Sequence, residues 1–247
     1  MSENLNIQKG YDIFGKAYSV MLRNDLHDIK SIDHKFLQEM ILLTDETRET
    51  LYTEVTQLKD FRQHELYSFA QQFRTENDLQ TIKNIMLYTA NIASNYHEPF
   101  EEMEFGGTEK QILDRGTDWC ADMARVGAVL LGCNGIPARI IHLVNPKKAY
   151  NGHVVTEAFY EGKYGVCDFI YGYCFYEKEP LDAYTLMSQG DYLRAYSENY
   201  ASLYSAVAIN EYDPLDPDNN YTVSAPNEYY LKLINIDHND MWIMGEE

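Results

Sequence analysis

The run GTDWCADMARVGAVLLGCNGIPARIIHLV, residues 116–144, and its continuation NPKKAYNGHVVTEAFYEGKYGVCD, residues 145–168, decide how this chain folds. Thr117 or Asp118 is placed to cap a helix that runs through Ala121, Met123, Val126, Val129 and Leu131. After Val126 that helix is apolar on nearly every side, so the pattern predicts a central, buried element. Asn134-Gly135 supplies a left-handed stop, and Pro137 prevents continuation. The period then changes. ARIIHLVN, GHVVTEAFY and KYGVCDFIYGYCFY are strand-like, rich in Val, Ile, Tyr and Phe. Glu161-Gly162 reads as a hairpin turn between two of them. A helix followed by an antiparallel meander is an α+β arrangement.

Three residues in this run carry chemistry. Cys120 opens the apolar helix, His153 opens an alternating run, and Asp168 closes the next one. A nucleophile, a base and an orienting carboxylate in that order are the parts of a thiol acyl-transfer site. The first turn of a helix favours a thiolate through its unpaired N–H groups and dipole. The Cys120 N–H is a natural donor to the oxyanion of a tetrahedral intermediate. Asp118 and Asp122 oppose the thiolate, so an imidazolium partner is required. His153 as acid and base contributes on the order of 10² to 10⁴ in rate, and Asp168 holds its tautomer. Trp119 and Gln111 are the candidates for a second oxyanion donor. Arg139 either pairs with a carboxylate or holds substrate. Cys133, in an apolar helix, reads as structural. Cys167, next to Asp168 on a strand, faces the opposite side and also reads as structural. His142 shares a face with Ile140 and Val144 and reads as packing.

These residues carry a resemblance. Cys120 on a central helix, Gly135-Ile136-Pro137-Ala138-Arg139 turning into a strand, then His153 and Asp168 on successive strands resemble the transglutaminase-like family of papain-like cysteine enzymes. The likeness covers roughly residues 77–175. The chain departs from the family pattern in Trp119 before the cysteine, Val154-Val155 after the histidine and Phe169 after the aspartate. The resemblance implies a papain-like core, with the nucleophile helix packed on an antiparallel sheet. It implies acyl transfer or hydrolysis at an amide, ester or thioester carbonyl through an acyl-cysteine, with Cys120, His153 and Asp168 as catalytic residues and no cofactor. The expected substrate is a peptide, an amide or an acyl small molecule. Two alternatives stand beside it: a biosynthetic amide-forming acyltransferase, and a non-catalytic interaction module on the same scaffold.

Around this core, the first 95 or so residues read as helical. Residues 4–25 are weakly so, and a short segment carries Phe36, Leu37, Met40, Ile41 and Leu43. A longer helix is then expected with Leu51, Val55, Leu58, Leu66, Phe69 and Phe73 on one face. Asn77 is an N-cap for the next helix, with Leu79, Ile82, Ile85, Met86 and Ile92 inward. This divides the chain into a helical extension, residues 1–76, and a core, residues 77–247. Thr108 and Gln111 form a capping-box pattern. Beyond Leu181 the chain turns helical again, with Tyr192, Tyr196, Tyr200 and Tyr204 recurring every four residues as a packing face. A loop follows around Pro214 and Pro217, and a last strand is expected over residues 228–236.

The 247 residues carry 20 basic and 39 acidic side chains, a formal net charge of −19, which repels phosphate backbones and anionic lipid. Nucleic-acid and membrane partners are therefore not expected. No run approaches the roughly 18 apolar residues of a membrane span. The N-terminus lacks the apolar region of a secretory signal, and the four scattered cysteines form no CxxC, so reduced thiols in a cytoplasm are expected. No metal is expected either. His97, Glu98, Glu101, Glu102 and Glu104 read as a solvated face. The run from Asp216 has Tyr221 where a calcium loop needs glycine and Asn227 where it needs glutamate.

Overall fold

A computed structural model describes residues 40–98, 104–145, 148–210, 213–215 and 222–223. The fold is α+β, built on a six-stranded antiparallel sheet. In chain order its strands are β1 (Met40–Leu42), β3 (Ala138–Asn145), β4 (Lys148–Tyr160), β5 (Lys163–Asp168), β6 (Tyr173–Cys174) and β7 (Ala206–Asn210). Their spatial order is β1-β7-β3-β4-β5-β6, so β3 to β6 form the expected meander and the two remaining strands extend it beyond β3. A separate pair joins β2 (Phe105–Gly106) to β8 (Thr222–Val223).

Helices cover both faces of the sheet. On one lies α5 (Cys120–Cys133), backed by α2 (Tyr67–Ala70), α3 (Asp78–Ser94) and α4 (Glu109–Arg115). On the other lie α6 (Ala183–Met187), α7 (Gly190–Arg194) and α8 (Glu198–Leu203). Strand alternation sorts the side chains. Val154 and Ala158 of β4 and Cys167 of β5 join the clusters beneath α5, whereas Val155 and Val166 join the cluster beneath the C-terminal helices. Two covered faces explain why β3 is buried without a break from Ile140 to Val144.

The deciding run folds as read except at its start, where the helix N-cap is Trp119, without a side-chain cap, rather than Thr117 or Asp118. Every residue of α5 from Asp122 to Leu131 is buried. Gly135 takes φ 80°, and the Ile136 N–H returns to the Leu131 carbonyl at 3.0 Å, which ends the helix. Glu161 and Gly162 both have positive φ, 53° and 75°, as a two-residue hairpin turn requires. Asn77 caps α3, and Thr108 and Gln111 close a reciprocal capping box on α4.

Before α3 the helical expectation is corrected. Met40–Leu42 is a strand paired with β7, inside the stretch read as a helical extension. The long helix through Leu51, Val55, Leu58 and Leu66 does not form. Helix α1 (Asp45–Leu51) stops at Leu51, residues 53–61 lack regular structure, and Leu58 is exposed. A tertiary contact explains this: the Phe61 ring lies where a β-carbon on Gly132 would come within 2.4 Å, so this segment is drawn onto bare α5 backbone. The tyrosine helix also divides, because Ser197 caps α8 through the Tyr200 N–H and starts a new element. The segment 4–25, Phe36, Leu37, Glu101, Glu102, the run from Asp216 to Asn220, and the strand 228–236 lie outside the described residues. No described helix is long and apolar enough to cross a membrane.

Candidate active site

Cys120 is the first residue of α5, and its neighbour Trp119 is the N-cap. Trp119 makes no side-chain cap; its own N–H donates to Thr117 Oγ1 at 2.9 Å, fixing the entry to the helix. His153 faces Leu143 across β3, but the β4–β5 register begins only at Thr156 opposite Cys167. The first part of β4, which carries His153, is therefore open on the β5 side. Asp168 ends β5 there, and the helix N-terminus reaches the same place.

His153 Nε2 and Asp168 Oδ2 are 2.7 Å apart, with both side chains buried. Nδ1 is the ring's remaining nitrogen, and Cys120 lies close enough for its side chain and charge to raise the ring's pKa. Asp168 accepts three more hydrogen bonds. Tyr200 Oη donates to Oδ2 at 2.7 Å, and the Ile170 and Tyr171 N–H groups donate to Oδ1, each at 3.0 Å. Burial works against both charges and is the largest single influence on each. For Asp168, the His153 bond and charge, the Tyr171 N–H and Tyr200 outweigh it and hold the carboxyl below its ordinary value. For His153, the Asp168 hydrogen bond, the nearby Cys120 side chain and the charges of both outweigh it and raise the ring to about 10. An imidazolium is thus retained beside the sulfur at neutral pH. The Tyr171 ring lies over His153 with centroids 5.4 Å apart and is itself exposed, so it stands at the mouth of the cluster.

Asp122 does not oppose a thiolate as its sequence position suggests. It is buried and takes hydrogen bonds from Arg115 and the Gly106 N–H, both at 2.8 Å, with Arg125 4.0 Å away. Burial raises its pKa, and those partners counter it. Arg125 also bonds Glu109 at 2.8 Å and the Gly107 carbonyl at 2.9 Å, so a buried charge cluster ties the approach from β2 and α4 to the first turns of α5. Asp118 is exposed.

The remaining site candidates fall elsewhere. Gln111 is exposed and its Oε1 accepts the Thr108 N–H at 2.8 Å, as the return half of the capping box. Among the described residues no contact brings it to His153 or Asp168. Arg139 is engaged with Glu157: Nε and NH2 reach Oε2 at 2.9 and 2.7 Å, and another nitrogen donates to the Leu51 carbonyl. Its guanidinium packs against both the Tyr52 and Tyr164 rings, 4.6 and 3.8 Å from their centroids. Of the two readings of Arg139, carboxylate pairing is the one seen. His142 is buried, and burial lowers its pKa to about 3, so it is a neutral packing residue. Cys133 is buried, and burial pushes its thiol up to about 12. Among the described residues, no three His, Cys, Asp or Glu side chains gather as a metal site.

Tyr200 and Glu157 are the residues that sequence reasoning missed. The four-residue spacing marked Tyr200 as one packing tyrosine among four, with nothing to link it to a carboxylate 32 residues earlier. Glu157 sits in an alternating strand among apolar residues, and that anomaly was its only signal. No family model matches the chain, and no curated protein or solved structure matches it either.

Proposed function

We propose that this chain is a cysteine acyltransferase or amidohydrolase with a transglutaminase-like core of papain-like architecture. The observation that carries the reading is the His153–Asp168 hydrogen bond with Cys120, the first residue of a helix, close enough to the ring to raise its pKa. The charge states fit: an anionic carboxylate behind a ring that stays protonated to about 10 puts a cation beside the sulfur. In this mechanism the Cys120 sulfur attacks a carbonyl carbon of an amide, ester or thioester, and the carbonyl electron pair moves to oxygen. The Cys120 N–H occupies a helical position with no intrahelical acceptor and donates to that oxyanion. His153 gives its proton to the leaving group as the acyl–sulfur bond becomes a thioester. Water or an amine then attacks, His153 takes its proton, and the sulfur departs. Asp168 keeps the ring oriented and stabilises its charge, and Tyr200 with two backbone N–H groups keeps Asp168 anionic.

An activated ester, p-nitrophenyl acetate, tests this reading without knowledge of the natural substrate. Intact-mass measurement is expected to show one acetyl group, carried on the tryptic peptide 116–125, whose only cysteine is Cys120. Adding hydroxylamine should release it as the hydroxamate, and an amide product with other amines separates transfer from hydrolysis. Iodoacetamide at pH 6 should modify that same peptide, and His153→Ala should slow the labelling at pH 6 more than at pH 9. An unlabelled Cys120 in the folded protein, or labelling indifferent to His153, would overturn the proposal in favour of a non-catalytic interaction module.

A further inference from the structure

Cys167 and Cys174 were read as scattered thiols, yet the fold sets them directly opposite each other as Cα partners on β5 and β6. The adjoining rung, Val166 and Phe175, carries a backbone hydrogen bond from the Phe175 N–H to the Val166 carbonyl at 3.0 Å. Rungs of an antiparallel ladder alternate, so the cysteine pair occupies the non-hydrogen-bonded rung, where Cα atoms approach to about 4.5 Å. A disulfide accepts Cα separations of about 4.4–6.8 Å. Directly opposed side chains also share one face of the sheet, and the Cys167 thiol, whose hydrogen bond goes to the Gly165 carbonyl at 3.6 Å, is near enough to Cys174 for each to influence the other's pKa. Both are reduced here.

We infer that Cys167 and Cys174 form a redox-active dithiol that closes to a disulfide across β5 and β6 when a hydroperoxide oxidises it.

The two sulfurs have different surroundings, as such a pair requires. Cys174 is half-buried and therefore reachable, whereas Cys167 is fully buried behind it. Tyr160 Oη lies 3.7 Å from the Cys174 sulfur. Burial holds that phenol protonated, so it donates to sulfur. The Cys167 thiol is the largest influence lowering the Cys174 pKa; burial opposes it, and Tyr160 and the Lys83 charge assist. The Cys174 side chain, followed by burial, raises Cys167. Cys174 is thus the attacking thiolate and Cys167 the resolving thiol.

The chemistry balances. The Cys174 thiolate attacks one peroxide oxygen, an S–O bond forms, the O–O bond breaks, and hydroxide leaves to be protonated to water. The product is a sulfenic acid. The Cys167 sulfur then attacks the Cys174 sulfur, the S–S bond forms and the S–O bond breaks. The departing hydroxide takes the Cys167 proton as a second water. Two thiols have lost two electrons, and one hydrogen peroxide has become two waters. None of this depends on Cys120 or on the acyl-transfer reading.

Both cysteines lie in one tryptic peptide, residues 164–178, which holds no other. The full-length reduced protein is treated with stoichiometric hydrogen peroxide at pH 7, blocked with iodoacetamide and digested without reductant. The expected result is a peptide 164–178 two hydrogens lighter than its reduced form and carrying no alkyl group, where the untreated protein gives the doubly alkylated peptide. Dithiothreitol before blocking should restore both alkylation sites. In Cys167→Ser, the Cys174 sulfenic acid persists and is trapped by dimedone; in Cys174→Ser, Cys167 stays unoxidised. The wild-type measurement needs no variant to fold. Doubly alkylated 164–178 after peroxide treatment, or a bridge joining either sulfur to another cysteine, overturns the inference.

Discussion

Glu157 gives the most direct test of how the sheet is held beneath the C-terminal helices. Its carboxylate is fully buried, accepts three hydrogen bonds and makes one further ion-pair contact. Arg139 Nε and NH2 reach Oε2 at 2.9 and 2.7 Å, while Tyr52 Oη and the Ala183 N–H reach Oε1 at 2.8 and 2.6 Å. One side chain thus joins β3, β4, the residue after α1 and the start of α6. Replacing it by alanine leaves a guanidinium facing an emptied site with a phenol and a backbone N–H that have lost this acceptor. Breaking a buried ion pair from one side costs about 3–5 kcal/mol. At about 2–4 °C per kcal/mol for a chain of this size, Glu157→Ala should melt about 6–20 °C below wild type, read by calorimetry or circular dichroism. Arg139→Met alone should destabilise in the same way, and the double variant Arg139→Met/Glu157→Leu should recover part of the loss, because neither charge is then stranded. A Glu157→Ala shift within about 2 °C, the scale of an exposed ion pair, would refute the reasoning. An Arg139→Met protein that keeps its melting temperature and loses only turnover would do so too, returning Arg139 to substrate binding.

Three further outcomes are expected. Tyr200→Phe removes one of the four hydrogen bonds on a buried carboxylate, so urea denaturation should show a loss of about 1.5–3 kcal/mol, as for bonds to charged groups; an unchanged midpoint would show that the Tyr200–Asp168 contact carries no weight. Gly127→Ala puts a methyl within 2.4 Å of the buried Phe169 ring, the residue that follows Asp168. Overpacking of about 1–3 kcal/mol exceeds or cancels the ~1 kcal/mol helix gain, so the variant should be no more stable than wild type, and a clear rise in melting temperature would contradict the close approach. Because the His153 pKa is raised in the folded state to about 10, its contribution to stability is complete below about pH 6.5, the unfolded value, and is lost as pH rises through about 10. The stability gap between wild type and His153→Gln should therefore narrow between those limits, and a gap that widens with pH has the wrong sign.

Much of the architecture was legible because local chemistry and tertiary demand coincide over residues 116–168. Asn134-Gly135, Pro137 and Glu161-Gly162 act within a few residues, so helix end, strand start and hairpin follow from their own backbone preferences. A helix without a polar face has nowhere to go but the interior. The order of Cys120, His153 and Asp168 was likewise readable, because each sits on an element whose type was clear. The segment before Asn77 was not legible. Its three- and four-residue spacing is real, but Phe61 is drawn to the gap left by Gly132, and Met40–Leu42 finds β7 some 170 residues away. Local pattern holds no record of such partners.

What the sequence determined alone was therefore the α+β class, the buried helix with its cysteine at the N-terminus, and the strands that carry the histidine and aspartate. Only the tertiary structure decided that Asp168 is held by Tyr200 and two backbone N–H groups, that Asp122 is buried against Arg115, that Arg139 serves Glu157, and that Cys167 and Cys174 are strand partners. The physical reason is range. Turn and helix preferences act between neighbours along the chain, whereas the charge state of a buried group depends on whatever donors and cations packing brings within a few ångströms of it.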